Sequence, residues 1–255
     1  MADTRLADIS EYQESIDAPA YIGGGYRCLI VRAHNGGRAD KKWPARRDYL
    51  RGYDFTALGW YQYVQASKDA AQQAKDFVNC VGPLRGNEFL IGDFEEGSGS
   101  QVSRAEAWFA VVDKAQGFPA TLYSGQSFGK TNLGGWSRWQ GRPRWIAAYS
   151  SQEPTDQHEL WQNTDKASFP GLAGGVDGNI FHGSADQFLK TMRPGGKAPA
   201  TPTTPARQDT IAVAAMPDGR LEVFEQLPSG EVMHRWNAQG GGWTSKWESL
   251  GRPGG

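Results

Sequence analysis

Phe89-Leu90-Ile91-Gly92-Asp93-Phe94-Glu95-Glu96-Gly97 begins as a strand for a protein interior and ends in carboxylates. Successive side chains on a strand point to opposite faces, so Asp93 and Glu95 share one face while Phe94 takes the other. Acids that share a face at the carboxyl end of a buried strand occupy the position where a β/α barrel builds its active site. Two neighbouring carboxylates also titrate unequally. One ionises, and the other tends to keep its proton and can serve as a general acid, an arrangement suited to cleaving a glycosidic bond. The plainer alternative that the local sequence leaves open is a set of solvated acids leading into a Gly-Ser loop.

Outward from this segment, short apolar runs recur at Leu6–Ile9, Cys28–Val31, Ala57–Tyr61, Ala120–Tyr123, Trp145–Ala148, Glu159–Trp161 and Val176–Phe181. With Phe89–Phe94 they make eight strand candidates by length and content. Helical patterns lie near Ala45–Gly52, Ser67–Val81 and Ser103–Gly117, the last opening with a Ser-x-x-Glu capping box at Ser103 and Glu106. The later connections look too short for full helices. Alternating strands and helices imply a parallel sheet, and eight strands in one domain suggest a closed barrel whose last helices are reduced or missing.

Composition changes sharply once, at Arg193-Pro-Gly-Gly-Lys-Ala-Pro-Ala-Thr-Pro-Thr-Thr-Pro-Ala-Arg207, a Pro/Thr/Ala-rich tether. The chain therefore divides into a catalytic barrel over residues 1–192, a linker over 193–207 and a small β module over 208–255. Lys and Arg number 27 against 28 Asp and Glu, so the charge balance points to neither nucleic acid nor an anionic membrane as partner. No run reaches membrane-spanning length, and Met1-Ala-Asp-Thr-Arg-Leu lacks the apolar core of a signal peptide. The expected location is the cytoplasm until a separate lysis system releases the protein, unless a leader is missing from this chain. Cys28 and Cys80 have no metal-site spacing, nor have His34, His158, His182 and His234, so no metal and no cofactor is expected.

Two further acids belong with Asp93 and Glu95. Asp8 ends the first apolar run as Asp93 ends its own, although a turn or capping role is open. Asp177 lies in the last run, which a closed barrel sets beside the first, although Asp177-Gly178 is also a turn signal. Tyr61, Tyr123, Trp145, Tyr149 and Trp161 are candidates to line a sugar groove, with core packing as the alternative. Tyr61, Tyr123 and Trp161 lead that group.

In order along the chain, Asp8-Ile9-Ser10-Glu11-Tyr12-Gln13, Asp93-Phe94-Glu95, Leu122-Tyr123-Ser124-Gly125, Trp145-Ile146-Ala147-Ala148-Tyr149, Leu160-Trp161-Gln162 and Val176-Asp177-Gly178-Asn179 resemble the strand motifs of the Chalaropsis-type lysozymes, glycoside hydrolase family 25. The resemblance covers nearly all of residues 5–190. It implies an α/β fold, a modified TIM-type barrel written (β/α)5(β)3, and hydrolysis of the β-1,4 bond between N-acetylmuramic acid and N-acetylglucosamine in bacterial peptidoglycan. Carried over by position, Glu95 is the acid and later base, Asp93 stabilises the developing positive charge or orients the substrate's 2-acetamido nucleophile, with a direct carboxylate nucleophile as the older alternative, and Asp8 and Asp177 complete the acidic mouth. Tyr61, Tyr123, Trp161, Tyr149 and Gln162 contact substrate. The resemblance implies retention of anomeric configuration.

Two stretches depart from the family pattern. Arg32-Ala33-His34-Asn35-Gly36 stands where the family reads Lys-Ala-Thr-Glu-Gly, and Gly59-Trp60-Tyr61-Gln62-Tyr63 where it reads Gly-x-Tyr-His-Phe. Both are expected at the rim, affecting fine specificity. They keep alive a barrel that binds wall glycan without cutting it, and a metal-dependent hydrolase using the four acids as ligands is a third reading. The tail, with turns at Pro217-Asp218-Gly219 and Pro228-Ser229-Gly230 and ending in Gly241-Gly242-Trp243-Thr244-Ser245-Lys246-Trp247, resembles one blade of a tectonin-like or fucolectin-like propeller. A lone blade buries little apolar surface, so it is expected to pack on the barrel, to self-assemble or to be a remnant, with cell-wall binding as its functional reading.

Overall fold

A computed structural model describes residues 3–196 and, further on, 212–216, 220–226, 231–237, 244 and 247–251. The chain divides into two compact units, Met1–Pro199 and Ala200–Gly255. Residues 197–207 of the linker, both Pro-x-Gly turns of the tail and Gly241-Gly242-Trp243 lie outside the described residues.

In the first unit the strands are β1 (Thr4–Ile9), β2 (Cys28–Asn35), β3 (Arg38–Ala39), β4 (Ala57–Tyr63), β5 (Glu88–Asp93), β6 (Thr121–Gly125), β7 (Arg144–Ala147), β8 (Leu160–Ala167) and β9 (Val176–Phe181). The sheet runs β1-β9-β8-β7-β6-β5-β4-β2, and a further β1–β2 pairing closes it into an eight-stranded barrel, with β3 a short flap on β2. Neighbours from β1 through β2 and β4 to β8 are parallel, whereas β9 is antiparallel to both β8 and β1. All eight expected strands are present. The reversed direction of β9 was not part of the expectation.

Strand alternation sorts the apolar runs into two layers. Leu6, Ile30, Phe89, Ile91, Trp145 and Leu160 fill the barrel interior, while Ala7, Leu29, Val31, Leu58, Leu90 and Ile146 meet the surrounding helices. This is why Phe89-Leu90-Ile91 is apolar without a break: both faces of β5 are covered. Gly92 allows a helix to come close, because a Cβ there would lie 2.9 Å from Trp108 Cζ3.

The helices are α1 (Ala18–Gly23), α2 (Trp43–Leu50), α3 (Ala70–Val81), α4 (Val102–Gln116), α5 (Gln126–Thr131) and α6 (Ala185–Met192). In α3, Asp69 caps the first turn through Gln72 N at 2.7 Å, and Ala70, Ala74, Phe77 and Val81 form the buried stripe. The expected capping box of α4 is not formed: its N-cap is Gln101 without a side-chain bond, and Glu106 instead pairs with Arg138 at 2.7 Å. The capping box that exists belongs to α6, at Ser184 and Gln187. This helix was not expected. Its Phe188, Leu189 and Met192 join the interior cluster, Phe188 meeting Phe89 edge-on at 5.8 Å, and they plug the end of the barrel opposite the carboxyl ends of the parallel strands.

At that plugged end, fully buried Glu88 opens β5 and accepts Arg51 Nε and Nη2 at 2.7 Å each and Arg85 N at 2.9 Å. In the second unit, β10 (Ala212–Ala215), β11 (Leu221–Gln226), β12 (Val232–Trp236) and β13 (Glu248–Gly251) form an antiparallel sheet in sequence order, with Phe224, His234 and Trp236 in ring contact. Among the described residues no helix is long and apolar enough to cross a membrane.

The Glu88 pair gives a direct stability test. Arg51→Met leaves a buried carboxylate without its partner and is expected to cost about 3–5 kcal/mol. It should appear as a lower urea midpoint at unchanged slope. Arg51→Met with Glu88→Leu should recover most of that loss, and a single-variant loss below about 1 kcal/mol would show that the pair is not an anchor.

Candidate active site

The carboxyl ends of the parallel strands form the open mouth of the barrel, and chain direction decides which residues reach it. Asp8 and Asp93 arrive near the ends of β1 and β5. Asp177 arrives at the start of β9, because that strand runs the opposite way, and it pairs in register with Asp8. Both therefore lie in strands, and the turn alternatives for them do not hold.

Asp8 is the best-anchored of these acids. Its Oδ2 accepts Gln162 Nε2 and Asn179 Nδ2, each at 2.8 Å. Trp145 Nε1, which can only donate, bonds Asn179 Oδ1 at 2.8 Å and so turns the amide nitrogen toward Asp8. Gln162 Oε1 accepts Tyr123 OH at 2.8 Å and Tyr149 OH at 3.1 Å. Burial, with the Asp177 charge next, pushes Asp8 up to about 7 against the lowering effect of its two amide bonds.

Asp93 is buried, and its Oδ1 has no hydrogen-bond partner. Burial first, then the charges of Glu95 and Asp8, hold its carboxyl well above the usual range, with Arg32 opposing them. Glu95 differs in being open to solvent at the mouth, yet partial burial still raises its pKa, with the nearby Tyr123 hydroxyl opposing and Asp177 adding to the rise. Asp177 is raised by burial and by Asp165. The third acid of the β5 segment points away from these: Glu96 accepts Tyr63 OH at 3.0 Å and Ala66 N, bracing the loop after β4.

The aromatic candidates separate by exposure. Tyr61 and Tyr123 are buried in the interior layer and present little more than an edge to the mouth. Tyr149 is 57% exposed. Alternation along β8 puts Trp161 on the face away from Gln162, where it is buried and donates to Ala148 O at 2.8 Å. Asn179 was not among the candidates. Its signal was parity, two residues beyond Asp177 on the same strand face.

The two departures are not both at the rim. His34 and Gln62 are buried and touch each other, Gln62 Nε2 lying 2.8 Å from His34 Nδ1. Gln62 Nε2 also donates to Gln73 O at 3.0 Å, and its Oε1 accepts Trp108 Nε1 at 2.6 Å. The pair thus faces the helix layer, away from the mouth. Because Gln62 donates there, His34 Nδ1 accepts, and burial lowers the pKa of the ring. Arg32, by contrast, is close enough to act on Asp93 and Tyr61. Among the described residues no three His, Cys, Asp or Glu side chains are grouped to hold a metal ion.

Comparison with known proteins identifies the family and the fold. The sequence model of the glycosyl hydrolases of family 25 matches residues 7–172, which include Asp8, Asp93 and Glu95 and stop short of β9. An uncharacterized protein of Escherichia coli K12, YegX, is 28% identical over 193 residues, covering 71% of this chain and 70% of its own. A bacterial lysozyme from Streptomyces coelicolor shares the fold with a TM-score of 0.68 at 20% identity, over 75% of this chain and 98% of that one. The CTP1L endolysin superposes with a TM-score of 0.63 at 27% identity, over 73% of this chain and 69% of that one. A family match over well more than half the chain, laid on the strands that carry the acids, means that the chain belongs to the glycosyl hydrolases of family 25.

Proposed function

We propose that the chain is a muramidase, a peptidoglycan hydrolase cutting the β-1,4 bond between N-acetylmuramic acid and N-acetylglucosamine. The observation that carries this reading is the pairing at the end of β5 of a buried Asp93, whose Oδ1 has no hydrogen-bond partner, with a solvent-reachable Glu95 whose pKa is raised. Glu95 protonates the glycosidic oxygen as the leaving sugar departs, since it combines access with a raised pKa. Asp93 faces the developing positive charge and accepts the N–H of the 2-acetamido group, whose carbonyl oxygen bonds to the anomeric carbon. Glu95, now ionised, takes a proton from water, which opens this intermediate and leaves the product with its original configuration. The Asp177 charge adds to the rise at Glu95, and Asp8 completes the acidic mouth. Tyr61, Tyr123, Tyr149 and Gln162 are the substrate-contacting residues, with Tyr149 supplying the open ring face.

We read the helices after β1, β2, β4, β5 and β6, followed by β7, β8 and β9 without helices between them, as the (β/α)5(β)3 layout. Residues 1–192 are then the catalytic barrel, 193–207 the linker and 208–255 a blade-like module that helps the enzyme dwell on wall glycan. The named lysozyme and endolysin neighbours support action on bacterial walls, in a phage endolysin or a bacterial lysozyme.

Purified walls treated in the presence of a chelator should lose turbidity and gain reducing ends on muramic acid. Glu95→Gln should lower that rate by about 10²–10⁴-fold. A wild type that binds several wall types and cuts none would favour a non-catalytic glycan-binding role instead. Asp177→Asn removes a charge that raises Glu95, so the acid should lose its proton at lower pH and the alkaline limb of the rate profile should move acidward. An unmoved limb would separate Asp177 from the titration of the acid.

Asp93→Asn tests the electrostatic strain of the mouth. A carboxyl with a folded pKa above its unfolded value destabilises increasingly as pH rises beyond about 4. The variant should therefore have a higher urea midpoint than wild type at pH near 7 and the same midpoint near pH 3, in a protein that has lost most of its activity. Equal midpoints at both pH values would count against the raised pKa.

A further inference from the structure

The acids leave unexplained a set of basic side chains gathered on the segment that follows β1. Arg46 donates to Ser10 O and Gln13 O, each at 2.7 Å, and Lys42 Nζ donates to Gln13 O at 2.8 Å and Glu14 O at 3.1 Å. Glu11 accepts both terminal nitrogens of Arg38, at 3.0 and 2.6 Å, and donates its own N–H to Asp40 Oδ2 at 2.9 Å. Arg32 lies between, its Nε on Asp40 Oδ2 at 3.0 Å and its Nη2 3.2 Å from Glu11 Oε1. Asp8 does not require this clamp, because β2, β9 and two amides already hold it.

What the clamp presents is Tyr12, which at 77% exposure is the most open large aromatic among the described residues. A lone exposed aromatic means little by itself. Here, however, the ring sits on a segment ordered at both flanks, and the Arg32 guanidinium carbon stands 5.3 Å from its centroid. Arg32 also acts on Asp93 and Tyr61, so a single side chain links the Tyr12 ring to the acid mouth. Across the mouth, three steps around the closed sheet, the loop after β7 carries another open ring, Tyr149.

We infer that Tyr12 is the stacking platform of a sugar subsite, taking the apolar face of a pyranose ring of the glycan strand at a distance from the bond that is cut. A pre-ordered ring loses little freedom on binding, which is what the clamp provides. A cation near the ring and a sugar on its open face are compatible partners. The inference rests on the glycan-cleaving reading for the identity of its ligand, while its own evidence lies on the β1 side of the mouth.

The test uses the full chain carrying Glu95→Gln, titrated calorimetrically with peptide-free peptidoglycan glycan strands, and the active chain assayed on the same strands. Tyr12→Ala should weaken binding and raise KM by about three- to tenfold, with kcat within about twofold. Tyr12→Phe and Tyr12→Trp keep the ring face and should stay near wild type. Unaltered binding by Tyr12→Ala, an equal loss in Tyr12→Phe, or strands that fail to bind the parent chain would each overturn the platform. So would a fall in Tm matching the loss in Tyr12→Ala, since that marks a structural role. The two readings fail separately: a chain that cuts no strand but binds it in a Tyr12-dependent way would end the muramidase assignment and leave the platform standing.

Discussion

Two amide N–H groups meeting on one oxygen of Asp8 are the contact on which the mouth depends. Gln162 comes from β8 and Asn179 from β9, so Asp8 ties the first strand to the last two where the barrel closes. Closure by an antiparallel β9 brings Asp177 opposite Asp8 and sets the two carboxyls against each other. The amides relieve part of that repulsion without removing it. Burial first, and then the Asp177 charge, push Asp8 up to about 7, far above the range of a carboxyl in water.

That arrangement divides labour between acids of similar chemistry. Asp93 is enclosed, with one oxygen unpartnered, and suits a group that must wait for a cation or an N–H to arrive. Glu95, two residues on and on the same face, extends past the end of β5 to where solvent can reach it. Glu96 faces elsewhere and serves the backbone of the neighbouring loop. Three acids in four positions are thus sorted by strand alternation and by where the strand ends.

The same alternation explains what the sequence disclosed. Short apolar runs covered on both faces gave every barrel strand, because burial of both faces leaves a mark that one sequence can carry. The reversed direction of β9 leaves no such mark: Val-Asp-Gly-Asn-Ile-Phe reads as a strand in either sense, and only its partners decide. The capping box at Ser103 and Glu106 failed because a surface glutamate found Arg138, whereas Ser184 formed one with Gln187, an amide standing where the commoner pattern has a glutamate. The side taken by Trp161 depends on register, since aromatic content alone does not say which face of β8 it occupies. His34 and Gln62 depart from the family pattern separately, in segments distant along the chain, and only the β2–β4 pairing shows them as one buried contact.

That contact bears on the choice between a cutting and a merely binding barrel. A family-atypical residue in the mouth would disturb the field at Glu95, but His34 and Gln62 exchange their hydrogen bond beneath α3 and α4, where Gln73 and Trp108 satisfy the remaining groups of Gln62. Burying an amide beside an imidazole is tolerable only when each polar atom finds a partner, and substitution at one position constrains what the other can hold. Of the departing residues, Tyr63 donates to Glu96 and Arg32 reaches Asp93, and Arg32 brings a positive charge, as the lysine of the family pattern does. Its planar guanidinium has donors enough to engage Asp40 and approach Glu11 while standing beside the Tyr12 ring, which an ammonium group would not match in geometry. The departures at Arg32, His34 and Gln62 thus alter how the barrel wall and the β1 loop are held, and His34 and Gln62 leave Asp93 and Glu95 untouched.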